Sequence, residues 1–277
     1  MTKFLILGDL HGALPKIHFK QFDAILFPGD FCSFEGRKIL FKHGFDIPWW
    51  KVAGKRKAKK MIKRDVERGR KVLEKLNKLN MPVFIVPGNI DYYGSGAFRK
   101  EQYAWEFLRK NHYKEMLKKF SNIKDCHFKQ RKFKGISIIG YGLSSSPDYP
   151  LWAKKPYTKE QKQRTRQADF FLKKLDKLFR KTKAPVIFLS HNVPFDTKLD
   201  KIINKSSPMN GRHFGSLVTR KIIEKYKPLL CIAGHMHEHF GKCMLGKTVV
   251  VNAGFGPEKN VLLELEGGRI KQLKFHK

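Results

Sequence analysis

Five short apolar runs, each ending on a residue whose side chain can bind a metal ion, restrict the possible folds of this chain most. The first is Phe4-Leu5-Ile6-Leu7, followed by Gly8-Asp9-Leu10-His11-Gly12. Ile25-Leu26-Phe27 leads through Pro28-Gly29 to Asp30, and Val83-Phe84-Ile85-Val86 leads through Pro87-Gly88 to Asn89. Val186-Ile187-Phe188-Leu189-Ser190 stops at His191, and Leu229-Leu230-Cys231-Ile232-Ala233-Gly234 stops at His235-Met236-His237. Runs this short are too brief for buried helices and read as buried strands. Any one of them alone is an ordinary capped turn with a polar residue. Five together deliver carboxylate, amide and imidazole groups to the carboxyl ends of strands, where open α/β sheets build their sites. Asp9 and His11, two positions apart in a tight turn, are spaced to converge on one ion.

In this order the motifs resemble those of the calcineurin-like metallophosphoesterase superfamily: Asp-x-His, Gly-Asp, Gly-Asn, a lone His, then Gly-His-x-His. The resemblance runs from Lys3 to about Asn252. Gly234-His235-Met236-His237-Glu238, the later Asn252-Ala253-Gly254, and Gly215-Ser216 ahead of a helix look most like the archaeal and bacterial Icc-related phosphoesterases. The fold implied is α/β, with two facing mixed β-sheets flanked by α-helices in a four-layer sandwich.

A chain of 277 residues is long enough to bury a sizeable core, and one domain spanning 1–277 is expected. Its four cysteines, Cys32, Cys126, Cys231 and Cys243, form no Cys-x-x-Cys pair, which suits a reducing compartment. No signal peptide is evident and no apolar run approaches the ~20 residues of a membrane helix, so a cytoplasmic protein without a membrane span is expected. The charge is unusual. Fifty-eight Lys+Arg against 24 Asp+Glu give a formal +34. Such an excess favours anionic partners such as nucleic acid, polyphosphate or an anionic membrane surface; a generally Lys-rich composition is the competing explanation.

The 58 residues between Asp30 and Asn89 exceed what one crossover helix needs, so residues 31–64 are read as a basic, aromatic-containing insertion. Lys55-Arg56-Lys57-Ala58-Lys59-Lys60 opens a helix to about Asn80, with Met61, Val66, Val72, Leu73, Leu76 and Leu79 on its apolar side. Trp49-Trp50 beside it has two readings, base stacking or a hydrophobic anchor, and adjacent tryptophans favour the anchor. Beyond the Gly94-Ser95-Gly96 break, Gln102–Phe120 has helical period, Ile136–Ile139 is a further strand, and Lys159–Lys183 is a basic amphipathic helix with Phe170, Phe171, Leu175 and Leu178 inward. Thr248–Asn252, Val261–Leu265 and Arg269–Phe275 read as closing antiparallel strands, with a hairpin at Gly267-Gly268.

Carried over by matched motif, the resemblance implies that Asp9, His11 and His237 hold one divalent ion and that Asn89, His191 and His235 hold a second. Asp30 would bind both. Mixed nitrogen and oxygen donors without thiolate suit manganese first, with iron, zinc or nickel also compatible. Two such ions lower the pKa of a bridging water and neutralise phosphoryl oxygens. A phosphoesterase acting on phosphodiester or phosphoanhydride bonds is thus expected, and the basic surface suits a phosphoester substrate drawn from nucleotides or nucleic acid. One position departs from the family pattern. Gly88-Asn89-Ile90-Asp91 carries Ile90 where family members have a His associated with the leaving group. His213, in Gly211-Arg212-His213-Phe214-Gly215, is the candidate substitute acid, with Arg212 as a phosphate contact; Asn192 is a candidate for orienting substrate. Glu238 reads as loop support, and Asp91 equally as a brace or a cap. The alternatives are a protein phosphatase, or a nucleic-acid-binding or scaffold protein with a vestigial metal site.

Overall fold

The computed structural model describes residues 1–44, 47–94, 105–183, 185–205, 207 and 209–277. Strands β1 (Thr2–Leu7), β2 (Ala24–Phe27), β3 (Val83–Ile85) and β4 (Ile123–Asp125) join β11 (Asn260–Glu266) and β12 (Arg269–His276) in one six-stranded sheet ordered β12-β11-β1-β2-β3-β4. Strands β5 (Gln130–Phe133), β6 (Ile136–Tyr141), β7 (Val186–Asn192), β8 (Leu230–Gly234), β10 (Thr248–Asn252) and β9 (Gly241–Leu245) form the second, in the order just given. Both sheets are mixed. β1 to β4 are parallel, as are β6, β7, β8 and β10, and antiparallel strands flank each run.

The two-residue period of a strand sorts the core into layers. Phe4 and Ile6 of β1 pack with Ile138, Leu189 and Ile232 of the facing sheet, whereas Leu5 and Leu7 face the other way. That outer side is covered by α3 (Lys55–Asn77) through Val72, Leu73 and Leu76, and by α5 (His112–Leu117) through Tyr113 and Met116. On the second sheet, α6 (Lys159–Arg180) and α7 (Leu217–Tyr226) bury Leu175, Phe179, Ile222 and Ile223. The result is helix, sheet, sheet, helix.

Short helices α1 (Arg37–His43) and α2 (Trp49–Ala53) precede α3, and α4 (Glu106–Arg109) precedes α5. The expected Gln102–Phe120 helix is instead two short ones; Lys110 is extended, and Asn111 caps α5 by accepting from the Lys114 N–H. Gln102, like Ser95 and Gly96 of the expected break, lies outside the described residues. Trp50 is buried edge-on to Trp105, and half-buried Trp49 lies edge-on to Phe34, as the anchor reading of the pair expects. Phe170 points outward, 53 % exposed, with the Lys174 ammonium 5.0 Å from its ring. The fully inward positions of α6 are Ala168, Leu175 and Phe179, four to seven residues apart, and Phe171 and Leu178 pack half-buried against the same cluster as expected. Of the closing strands, β11 and β12 are antiparallel, and β10 is antiparallel to β9 while pairing parallel with β8 on its other side. No described helix is long and apolar enough to cross a membrane.

Candidate metal centre

The parallel strands β1, β2, β3, β7 and β8 end on the same side, and the chain turns sharply as it leaves them. His11, Asp30 and His235 adopt left-handed backbone angles (φ 46°, 54° and 64°), which are uncommon for residues with a Cβ. The glycines before the candidate ligands have a steric cause. A Cβ on Gly88 would lie 2.0 Å from Asp30 Oδ1, and one on Gly234 would lie 2.2 Å from Asp9 Oδ1. The carboxylates from one strand end occupy the space a neighbouring strand end would otherwise fill.

Two groups of side chains result. Ligating atoms of Asp9, His11 and His237 lie within 4.8 Å of one another, and so do those of Asp30, His191 and His235. Asp30 Oδ2 stands between the groups, 3.4 Å from His11 Nε2 and 3.5 Å from His191 Nε2. Asn89 Oδ1 is 2.8 Å from His191 Nε2, and His237 Nε2 is 3.1 Å from Asp9 Oδ2. All seven expected ligands are therefore brought together.

The donors fit a bound cation. His191 Nδ1 lies 2.9 Å from the Pro28 carbonyl, and His235 Nε2 lies 3.1 Å from the Ser145 carbonyl. A carbonyl only accepts, so these nitrogens carry the protons and the opposite ring nitrogens present lone pairs, the arrangement of metal-bound histidines. The His191 Nε2 lone pair then faces the oxygens of Asn89 and Asp30, an unfavourable meeting of acceptors unless positive charge lies among them. Asp9 Oδ1 and His11 Nε2 are buried without a hydrogen-bond partner among the described residues. Burial first, and the Asp30 carboxylate second, push Asp9 up to about 7. Burial lowers His235 and His237, leaving both imidazoles neutral and able to ligate.

Asp91 is fully buried and accepts from the N–H groups of Asp30 (2.8 Å), Gly88 (2.7 Å) and Cys32 (2.9 Å). It locks the ends of β2 and β3 together. His213 is not among the clustered side chains. Its Nδ1 is 2.6 Å from Asp200 Oδ1, and Asp200 also accepts from the N–H groups of Asp196, Thr197 and Gly215. This loop is tied to the ligand turn by Glu238, which accepts from the N–H groups of Ile203 and Asn204. Asn192 is fully buried, donating its amide to the Phe214 carbonyl, and its Oδ1 has no partner among the described residues. The roles of the Pro28 and Ser145 carbonyls cannot be read from sequence, because a backbone oxygen has no residue signature. Asp200 has only its place in a polar loop to mark it.

The chain matches the family described as calcineurin-like phosphoesterase over residues 2–239. Among curated proteins it is 28 % identical over 265 residues to the uncharacterized protein MJ1162 of Methanocaldococcus jannaschii, covering 91 % of this chain and 89 % of that one. Among solved structures it superposes on TT1561 of Thermus thermophilus with a TM-score of 0.56 at 19 % identity, covering 99 % and 97 % of the two chains. It superposes on the phosphopantetheinyl hydrolase PptH of Mycobacterium tuberculosis with a TM-score of 0.54 at 12 % identity, covering 92 % and 90 %. These structural likenesses concern the fold. The family match spans most of the chain and includes every strand end that carries a candidate ligand: the chain belongs to the calcineurin-like phosphoesterase family and is a metal-dependent phosphoesterase.

Proposed function

We propose that this protein hydrolyses phosphodiester or phosphoanhydride bonds of nucleotides or nucleic acid with two divalent ions, manganese being the first candidate. Asp9, His11 and His237 would hold one ion, and Asn89, His191 and His235 the other, with Asp30 reaching both. The observation that carries this reading is the position of Asp30 Oδ2, between one imidazole of each group at 3.4 and 3.5 Å. A bound pair of divalent ions supplies Lewis acidity toward phosphoryl oxygens and lowers the pKa of water.

The remaining work falls to the chain itself. Arg37 and Lys259 act electrostatically on His237, so cations border the site where an anionic substrate would arrive. Ile90 gives only its backbone N–H, to Asp30 Oδ1 at 3.0 Å, and has no proton for a leaving oxygen. His213, half-buried and oriented through Nδ1 by Asp200, is the proposed proton donor. Asn192 is assigned a positioning role, because its amide holds the backbone of Phe214 next to His213.

The partner reading rests on a groove of about 1000 Å³ between α3 and the α4–α5 segment. Lys55, Lys59, Lys63, Arg70, Arg109, Lys110 and Lys119 line it against Glu67, Glu106 and Glu115. We take residues 31–64 as an insertion in a single domain that brings part of this basic surface to the phosphoesterase core. The contrary reading is a vestigial site on a nucleic-acid-binding scaffold. Metal analysis with a diester assay separates the two: about two ions per chain and chelator-sensitive hydrolysis are expected. Full activity in excess chelator would end the metal reading.

A further inference from the structure

A cavity of about 390 Å³ lies beside the candidate metal centre, between the end of β6 and the start of α6, within the usual ~300–1,000 Å³ of ligand sites. Its place follows from topology. β6 and β7 are parallel, so the connecting α6 runs back and its first turns begin at the carboxyl ends of the strands. Tyr141, the last residue of β6, is in register with Ser190, immediately before His191. Ser145 belongs to both places: its carbonyl orients His235, and the residue lines the cavity.

The wall chemistry contrasts with the rest of the molecule. In a chain of formal charge +34, the lining includes one basic side chain, Arg164. Its guanidinium is engaged by Ser146 Oγ at 2.7 Å and by the carbonyls of Pro147 and Asp148. A second phosphate would find no cation to receive it here. The wall also carries the Ser145 hydroxyl, the Gln163 and Gln167 amides, the Glu160 carboxylate and the half-buried ring of Phe171, whose other contacts are Phe128, Tyr141 and Phe170. An amide both donates and accepts, as the edge of a nucleobase does, and an aromatic ring gives its face a stacking surface. A sugar alone has no flat face to lie on the part of Phe171 that lines the cavity, and an acyl chain cannot pair with the Gln167 amide.

Resting on the phosphoesterase reading above, we infer that this cavity receives the nucleoside portion of the substrate while its phosphate lies at the metal centre. The test begins with metal-free protein titrated by calorimetry with adenosine, guanosine, cytidine, uridine and ribose. At least one nucleoside should bind with Kd on the order of 1 mM, and ribose should not. Gln167→Trp, which fills the cavity, should weaken that binding at least ~10-fold, and Gln167→Ala at least ~3-fold. No nucleoside binding to the wild type, or equal binding by both variants, overturns the inference. With metal restored, the ratio of kcat/KM for thymidine 5′-(p-nitrophenyl phosphate) over methyl p-nitrophenyl phosphate should fall at least ~10-fold in Gln167→Trp. An unchanged ratio also overturns it. Nucleoside binding that responds to both variants, with neither ester hydrolysed by metal-loaded wild type, would support the cavity and remove the phosphoesterase reading instead.

Discussion

The strand-end cradle and the basic outer helices use charge in opposite ways. In the cradle most buried polar atoms have a named partner, Asp9 Oδ1 and His11 Nε2 lie among the candidate ligands, and single glycines are dictated by approaches near 2 Å. At the start of α3 the charges have no such definition: among the described residues, Lys55, Arg56, Lys57, Lys59 and Lys60 make no ion pair, whereas further along Arg64 and Arg70 are paired and Asp65 is buried and hydrogen-bonded. Removal of one group should therefore be felt sharply in the cradle, whereas the outer layer should respond only to summed charge. The most severe test pairs two carboxylates in the cradle itself. Asp30→Asn should lower hydrolysis by at least ~10³-fold, beyond the ~10²–10³ of losing one transition-state donor, and should reduce metal content. Asp91→Asn should mainly cost stability, roughly 1–3 kcal/mol for each N–H it leaves unsatisfied, while the folded fraction keeps its metal. Equal activity losses, with equal metal loss, would break the distinction between ligand and brace.

The second effect concerns proton supply, where the cradle departs from its family. With Ile90 unable to act as an acid, the dependence of rate on leaving-group pKa across a series of aryl and alkyl phosphodiesters reports on His213 and should steepen when that donor is removed. Ile90→His should speed alkyl esters by up to ~10²-fold and scarcely change nitrophenyl esters. His213→Ala should slow alkyl esters selectively if the Asp200–His213 pair has taken over the role. A flat dependence in wild type, unchanged in both variants, would show that proton transfer does not limit the reaction.

Most of the cradle is legible in the sequence because each ligand follows an apolar run, and the order of the runs is a signal that survives without coordinates. Pattern alone does not give the partners of Asp91, the carbonyls orienting His191 and His235, or the Asp200 support of His213. Each depends on which strand lies beside which, a property of tertiary packing. Among the strands, β4, β5 and β9 escape the pattern for a different reason. Ile123-Lys124-Asp125 and Gln130-Arg131-Lys132-Phe133 are short and polar at the sheet edges, with little burial to impose a period. Phe170 misleads because an aromatic in an amphipathic helix suggests an inward face until its phase against Ala168, Leu175 and Phe179 is counted.

A third test asks whether a buried group outside the cradle also has a sharp individual effect. His127 Nδ1 accepts from the Gly142 N–H at 2.9 Å, and burial first holds its pKa down to about 3 from 6.5. Between those values the unfolded chain binds the proton and the native one does not. This group's contribution is therefore complete above pH 6.5 and is lost progressively as pH falls toward 3, by at most ~1.4 kcal/mol per pH unit. Denaturant titrations between pH 7 and 5 should show a shallower loss for His127→Asn, whose oxygen can still accept from Gly142. Parallel curves would remove His127 from the account.

The smallest effect belongs to the outer layer, and its sign carries the argument. α3 begins after Gly54 with no side-chain cap and no acidic residue in its first turn, so Lys55, Arg56 and Lys57 stand at the positive end of the helix dipole. Such placement costs stability, a few tenths of a kcal/mol per charge at low salt. Replacing Lys55, Arg56, Lys57, Lys59 and Lys60 together by Gln should therefore leave the fold intact and raise its stability slightly, by up to ~1 kcal/mol in total. If the basic groove meets nucleic acid, the same replacement should weaken binding and flatten the fall of log K with log salt, by about 0.7–0.9 for each phosphate no longer neutralised. Hydrolysis of a small diester should change little, because these residues lie on the outer layer. The two readouts move in opposite directions only if the charges serve a partner at some expense to the helix. Raised stability with an unchanged salt slope would leave composition as the reason for the lysines, and lowered stability would mean that they pack or pair in ways the helix start does not reveal.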